Sequence, residues 1–390
     1  MALPVLIAGV STRALAESAA RAGYRVLAVD GFGDLDLRRV ADVRLARDAR
    51  GRASPGAAVR AAQGARAEGV VYVASFENHP RAVRRLAAGR VLWGNAPEVL
   101  ARVRDPLLVA ATLARLGLAT PAVRAAAPRS RTGGCSWLAK PRASGGGSGV
   151  VAWRPGQRPP RDPYFQERIA GIPGSILFAA DGRRAVPLGL TRLLAGEPAF
   201  GAAGFRYSGS ILVGRGDAGF PDDARLCARA IGLAEAITRT FGLVGVNGID
   251  FIARRGTPYP IEVNPRYTAA MELVERAYGL SIFDIHARAC AGSLPAFDLG
   301  ATRHAPSPMA IGKAILYARA DIVFGDTRPW LEDDSVRDIS VPGQRCRRGQ
   351  PICTIFAAGR GAVECRAALG RRAAALYAAL EAHGPCARSA

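Results

Sequence analysis

The chain has 390 residues, with 53 Lys+Arg against 32 Asp+Glu, a formal net charge of +21, 49% hydrophobic and 22% charged residues. That length suits two or three domains with a large core, and the balance excludes wholesale disorder. No apolar run reaches membrane-spanning length, so no membrane partner is expected. A charge this high raises nucleic acid as a partner. Yet lysine occurs only twice, at Lys140 and Lys313, and arginine carries the rest of the positive charge along the whole chain. No basic tail or long basic run gathers it, so no nucleic-acid partner is expected.

Seven cysteines (135, 227, 290, 346, 353, 365 and 386) form no CxxC pair, which argues against zinc and a disulfide framework and for small buried hydrophobes. The four histidines (79, 286, 304 and 383) show no ligand spacing, and His286 reads as packing in a helix. The N-terminus has no basic residue before its apolar stretch, so it reads as a strand and not a signal, and the expected location is cytoplasmic.

In chain order, Pro4-Val5-Leu6-Ile7-Ala8 is a buried strand, followed by a turn at 9–13 and an Ala-rich helix closed by Gly23. Strands follow at 25–30, 69–74 and 90–94. Alternation of strand and helix predicts a parallel sheet covered on both faces, a Rossmann-like α/β domain over 1–103. Ligands of such sheets bind beyond the carboxyl ends of the strands, here Ser11, Thr12, Asp30, Ser75-Phe76-Glu77-Asn78 and Gly94-Asn95. The glycine pattern of dinucleotide folds is absent from 9–13, where one glycine stands in place of three. Ser11 and Glu77 are candidate substrate contacts.

Asp105-Pro106 opens a helix that stops at Gly117. A strand ending in Lys140-Pro141 leads into Arg142-Ala143-Ser144-Gly145-Gly146-Gly147-Ser148-Gly149, and a second strand follows at 150–153. Glycines let backbone N–H groups cradle phosphate, and a lysine at the head of such a loop is a phosphate ligand in type. Residues 154–163 read as an exposed connection. Further on, Phe251-Ile252-Ala253 and Ile261-Glu262-Val263 flank Arg255-Gly256-Thr257-Pro258, which predicts a β-hairpin. A register symmetric about Gly256 sets Asp250 opposite Glu262, with Asn264 on the face of Glu262. Hard oxygen donors of that kind suit Mg2+. Arg266 lies two residues further on that side, where a guanidinium could stabilise a transferring phosphoryl or acyl-phosphate group. Short β patterns at 314–317 and 351–356 and a terminal helix from 363 to 382 complete the chain. Phe205-Arg206-Tyr207-Ser208-Gly209 reads as a substrate cap or an exposed loop, and Lys313 as a substrate contact or an edge-strand lysine.

Taken together, Lys140-Pro141 with the loop at 144–149, Gln166-Glu167-Arg168-Ile169, Asp250 and Glu262-Val263-Asn264-Pro265-Arg266 resemble the ATP-grasp superfamily in order and spacing. The resemblance implies an ATP-grasp fold of two α+β lobes over 104–297, divided at about 165/166. It also implies a Rossmann-like domain before it and a small β-rich C-terminal domain with a terminal helix over 298–390, as in the biotin-carboxylase-like branch. By the same resemblance Lys140 contacts the ATP α/β phosphates, and Ser144, Gly145, Gly146, Gly147, Ser148 and Gly149 fold over the β/γ phosphates. Gln166, Glu167, Arg168 and Ile169 form the adenine hinge, with Ser175 near the ribose. Asp250, Glu262 and Asn264 bind two Mg2+ ions, Mn2+ being an alternative, and Arg266 steadies the acyl phosphate. Lys140 and Arg266 are the residues expected to act on the transferring group. Lys313, Arg206 and Tyr207 join Ser11 and Glu77 as candidate substrate contacts.

Where the family often has an aspartate–lysine pair, this chain reads Arg104-Asp105-Pro106. The implied activity is that of an ATP-dependent carboxylate–amine ligase with an acyl-phosphate intermediate, acting on small-molecule acids and amines as a homodimer. The carboligase-like subgroup adds one-carbon cofactor synthesis of the tetrahydromethanopterin type. Two other readings stay open: a bicarbonate-dependent carboxylase, and a nucleotide-binding regulator without turnover.

Overall fold

The computed structural model describes residues 4–128, 136–214, 219–303 and 310–382. Cys135, Cys386, His304 and His383 lie outside the described residues.

The first hundred residues alternate strand and helix: β1 (Pro4–Ala8), α1 (Arg13–Arg21), β2 (Arg25–Asp30), α2 (Leu35–Arg38), β3 (Ala41–Leu45), α3 (Pro55–Ala61), β4 (Gly69–Tyr72), α4 (Pro80–Leu86), β5 (Val91–Leu92) and α5 (Pro97–Val103). The strands form one parallel sheet in the order β3-β2-β1-β4-β5. Val5, Leu6, Ile7 and Ala8 are all fully buried, as a strand covered on both faces requires. Asp30 ends β2 and spends both oxygens inside the domain. Oδ2 accepts from the N–H and hydroxyl of Thr12, and Oδ1 from the N–H groups of Phe32 and Gly33, at 2.6–2.8 Å. This acid therefore builds the turns at the sheet's carboxyl edge.

Next come α6 (Pro106–Arg115), capped by the Asp105 carboxylate, and an antiparallel sheet of β6 (Val123–Arg124), β7 (Trp137–Pro141), β8 (Val151–Ala152) and β9 (Pro163–Glu167), ordered β6-β9-β7-β8. Because β9 pairs with β6 and β7 through Glu167, the first lobe extends past the expected division at 165/166.

The third sheet starts with β10 (Ile172–Asp181), β11 (Ala185–Ala195) and β12 (Tyr207–Leu212). After α7 (Asp223–Phe241) come β13 (Val244–Arg254) and β14 (Thr257–Asn264), then α8 (Met271–Tyr278), α9 (Ile282–Cys290) and α10 (Leu299–Arg303). The C-terminal part holds β15 (Ala310–Tyr317), β16 (Ile322–Val323), β17 (Val336–Arg337), β18 (Arg345–Cys346), β19 (Pro351–Gly359) and α11 (Ala362–Ala382). β16 and β18 pair with each other, but β15, β19 and β17 continue the antiparallel sheet, whose order is β14-β13-β10-β11-β12-β15-β19-β17. The expected division at 297/298 thus falls within one hydrogen-bonded sheet, with a core running from α7 to α11. Lys313 is the fourth residue of β15, an interior strand, and is 3% exposed, so the edge-strand reading does not hold.

A fully buried arginine joins the three parts. Arg13 of α1 gives Nε and Nη2 to Asp338 at 3.0 and 3.2 Å, Nη1 to Glu17 at 3.1 Å, and two further bonds to Glu272 of α8. Lys313 Nζ reaches the same Glu272 at 2.5 Å and the Ala269 carbonyl at 3.3 Å. Burial acts to raise the Glu272 carboxyl, but Arg13 and Lys313 outweigh it and hold it well below the usual carboxylate range. Among the described residues no helix is long and apolar enough to cross a membrane.

Candidate active site

The β13–β14 hairpin carries the acids. Its turn is Arg255-Gly256, both with positive φ (50° and 65°), and Arg254 pairs with Thr257. That register alone would set Asp250 against Ile261. A bulge shifts the ladder by one residue, so Phe251 pairs with Pro260 and Asp250 with Glu262. The expected pair forms, but through the bulge and not through symmetry about Gly256. The carbonyl of the skipped residue, Ile261, accepts Lys140 Nζ at 3.1 Å. One irregularity thus both aligns the acids and anchors the lysine of the facing sheet.

Asn264 Nδ2 donates to Asp250 Oδ2 at 3.0 Å, and Ser175 of β10 lies cross-strand from Asp250. Burial, with Glu262 close by, pushes the Asp250 carboxyl up to about 6. Burial also works to raise Glu262, but Arg104 and Lys140 outweigh it and hold that carboxyl below its ordinary value. Among the described residues no group of three or more His, Cys, Asp or Glu is arranged to hold a metal ion. The donor set is two carboxylates and an amide, all oxygen ligands. Two half-buried acids placed opposite each other suit a hard divalent cation, which would offset both the burial and the repulsion that raise Asp250.

Opposite the hairpin, Lys140 sits near the end of β7, with its Nζ also 3.2 Å from Gln166 Oε1 and 5.5 Å from the Tyr164 ring centre. The loop that follows folds on itself, Ser144 Oγ donating to the Ser148 carbonyl at 2.8 Å. It lies against β12, with Tyr207 N donating to the Gly146 carbonyl at 2.9 Å. Gly147 has φ +73°, and a Cβ there would stand 1.8 Å from the Phe205 carbonyl oxygen, so only glycine fits. At the end of β9 and in the linker after it, Glu167 N donates to the Ala122 carbonyl and Arg168 N to that of Ser136, at 2.8 Å each, while Ile169 is buried.

Arg266 leaves β14 beside Asn264 and turns to the first domain. Its Nη2 stands 2.7 Å from Glu77 Oε1 and 3.3 Å from Asn264 Oδ1, and Nη1 donates to the Tyr267 carbonyl at 2.9 Å. Glu77 lies on the turn after β4 and is 1% exposed. The backbone before Arg266 is pinned from the same domain: Asn95 Nδ2 donates to the Pro265 carbonyl at 3.0 Å, and the Tyr72 hydroxyl donates to it at 3.3 Å.

The structure therefore brings Lys140, Gln166, Asp250, Glu262, Asn264, Arg266, Glu77 and Ser175 together, with the glycine loop and Tyr207 at their border. Other expected substrate residues are placed differently. Ser11 is exposed at the β1–α1 turn, and Arg206 stacks on Tyr317 at 3.9 Å. Lys313 is enclosed in its ion pair with Glu272. Four further residues border the site: Tyr72, Asn78, Asn95 and Arg104. Asn78 and Asn95 are among the strand-end residues that the sequence points to, and Arg104 stands where the family often has an aspartate–lysine pair, but Tyr72 carries no such signal.

The sequence of residues 103–270 matches the model of the ATP-grasp domain. Comparison with curated proteins returns no match. Among solved structures, the chain resembles the biotin carboxylase domain of a single-chain bacterial carboxylase, with a TM-score of 0.70, 19% identity and coverage of 96% of this chain and 88% of that one. It also resembles the biotin carboxylase domain dimer of Hydrogenobacter thermophilus 2-oxoglutarate carboxylase, solved with MgADP and bicarbonate (0.67, 15%, 92% and 86%). A third is L-amino acid ligase from Bacillus licheniformis (0.65, 14%, 96% and 98%). At these identities the likeness is one of fold. Residues 103–270 match the ATP-grasp domain model, and the chain as a whole shares the fold of these solved structures.

Proposed function

We propose that the protein is an ATP-dependent ligase that activates a small carboxylate as an acyl phosphate for attack by an amine, releasing ADP and phosphate. The observation that carries this reading is the Asp250–Glu262 pair facing Lys140 and the glycine loop, with Arg266 fixed beside it. Asp250, Glu262 and Asn264 would hold Mg2+, two ions in the full complex or Mn2+ in their place, which neutralises phosphate charge as it moves. Lys140 lies between the two sheets and meets the α/β phosphates as a point charge. The loop at 144–149 covers the β/γ phosphates with backbone N–H groups and excludes water. The 166–169 linker takes the adenine. Ser175, held across from Asp250, belongs to the metal side of the pocket. The Arg266 guanidinium, oriented by Glu77, faces the charge that develops on the acyl phosphate.

The chemistry is one of positioning and electrostatics and needs no covalent enzyme group. The carboxylate oxygen attacks the γ-phosphorus and ADP leaves. The amine nitrogen then attacks the acyl carbon, phosphate leaves with the C–O bond pair, and the nitrogen gives up its proton. Likeness in fold to carboxylases makes bicarbonate one of the acids to test. The sequence resemblance adds acid precursors of one-carbon pterin cofactors. The test is a phosphate-release screen of candidate acids with pooled amines. Release that needs both an acid and an amine supports the ligase. Release with bicarbonate in place of other acids selects the carboxylase, and ATP binding without release selects a regulator.

A further inference from the structure

The C-cap of α5 is Arg104, at the junction between the first domain and the ATP-grasp domain. All five N–H groups of its guanidinium are used. Nη1 donates to Glu262 Oε1 and to the Val263 carbonyl, both at 2.8 Å. Nε and Nη2 grip Asn78 Oδ1 at 3.0 and 2.8 Å, and Nη2 also donates to the Ser144 carbonyl at 3.1 Å. Asn78 Nδ2 meets the same Ser144 carbonyl at 3.2 Å. One side chain thus joins three parts that share no strand: the acid hairpin, the first residue of the glycine loop and the turn after β4.

Only one of these acceptors is charged. A charge-assisted bond is roughly twice as strong as a neutral one, so Glu262 is what holds the guanidinium in place. The remaining contacts, to two main-chain carbonyls and an amide oxygen, follow from that placement.

From this geometry we propose that Arg104 is a positioning residue that competes with the divalent metal for Glu262 and, through Ser144 and Asn78, couples metal arrival to release of the glycine loop. The proposal rests on the metal role assigned to Glu262. A divalent ion on that carboxylate removes the charge that anchors Arg104 and places a second cation beside it. The guanidinium moves off and its bond to Ser144 goes with it, which leaves Ser144 only the bond from Asn78, itself no longer gripped at Oδ1. Coupling is reciprocal, so a clasped loop weakens metal binding by the factor by which metal loosens the loop. A family lysine nearby could not do this, since an ammonium lacks the planar fork that spans four acceptors.

The test uses the full chain without nucleotide or substrate, with Mn2+ as the probe. Mn2+ affinity is measured for the unaltered protein, Arg104→Met and Glu262→Gln, together with amide deuterium uptake at 144–149. The proposal expects Arg104→Met to bind Mn2+ on the order of tenfold more tightly. It expects Mn2+ to raise uptake at 144–149 in the unaltered protein. In Arg104→Met uptake is high from the start and does not respond to Mn2+. A merely structural arginine would not make the loop's response depend on metal. Unchanged or weaker Mn2+ affinity in Arg104→Met, or a loop indifferent to Mn2+ in the unaltered protein, overturns the proposal. So does binding of Mn2+ to neither protein. Glu262→Gln separates the two readings. If it binds Mn2+ as the unaltered protein does, the metal assignment fails. If it loses Mn2+ while Arg104→Met is unchanged, the metal assignment stands and the coupling alone fails.

Discussion

Arg266 and Glu77 form an ion pair 2.7 Å long, with side-chain exposures of 10% and 1%, across the boundary between the acid hairpin and the first domain. The arginine beside the paired acids Asp250 and Glu262 is therefore aimed by a residue almost two hundred positions earlier. Glu77→Gln keeps the shape of the side chain and removes the charge. Turnover is expected to fall while the ATP KM stays near its original value, because Lys140 and the glycine loop are untouched. Arg266→Ala should cost about 10²–10³ in kcat, the usual range for one transition-state contact. Steady-state kinetics of both variants checks this, and an unchanged kcat in Arg266→Ala would remove that residue from the chemistry.

Glu262→Gln should abolish Mg2+-dependent phosphate release and leave the fold intact. Its side chain is 23% exposed, and its loss frees Arg104 rather than opening the core. Circular dichroism beside a phosphate-release assay reads both parts of this expectation.

At Gly147 the steric argument gives a sharper result. Alanine there would place a Cβ against the Phe205 carbonyl oxygen, so the loop cannot rest on β12. Nucleotide affinity should drop several-fold with little change in thermal stability, since the loop lies outside the core. Calorimetric ADP binding compared with the melting temperature decides it.

The acid side of the stability profile should be set in part by His286. Burial pushes this imidazole down to about 4; Nδ1 accepts the Val246 N–H and Nε2 donates to the Trp93 carbonyl, both at 3.0 Å. A histidine with a depressed folded-state pKa binds fewer protons in the native than in the unfolded chain. Its contribution is therefore full above pH ~6.5 and is lost as pH falls towards 4, up to roughly 3 kcal/mol. Urea midpoints measured from pH 7 to 4.5 should fall more steeply in the unaltered protein than in His286→Gln. Parallel slopes would contradict this account.

Glu272 is the common partner of Arg13 and Lys313, so Glu272→Ala leaves two buried cations without it. A loss of about 3–5 kcal/mol is expected, the range for breaking a buried pair from one side. Lys313→Met should cost less, because Glu272 keeps Arg13. Urea unfolding of both variants gives the comparison.

Much of this site was written in local sequence. The glycine loop, Lys140 and the hairpin acids each announce themselves by residue type and spacing. A symmetric register predicts the Asp250–Glu262 pair, although the molecule achieves it with a two-residue turn and a bulge. Spacing cannot distinguish those two routes, because both end in the same pair. The hub at Arg13 is hidden for a different reason. Its partners lie up to 325 residues away, and in a chain whose positive charge is nearly all arginine it does not stand out, whereas Arg104 is marked by its place in the Arg104-Asp105-Pro106 run. Lys313 did stand out, but its rarity marked a buried ion pair with Glu272.

The pairing of β12 with β15 has a consequence for the life of the chain before it is complete. Gly209 to Leu212 meet their hydrogen-bonding partners, Ala314 to Ile311, only after a further hundred residues have been added. Until then β12 presents a bare edge, with Ile211 and Leu212 and a row of unpaired amides, to any neighbouring copy. A chain cut before residue 310 would keep every acid, glycine and lysine of the proposed site. It should nonetheless be recovered as aggregate, and in a growing chain that edge is where a chaperone would be most needed.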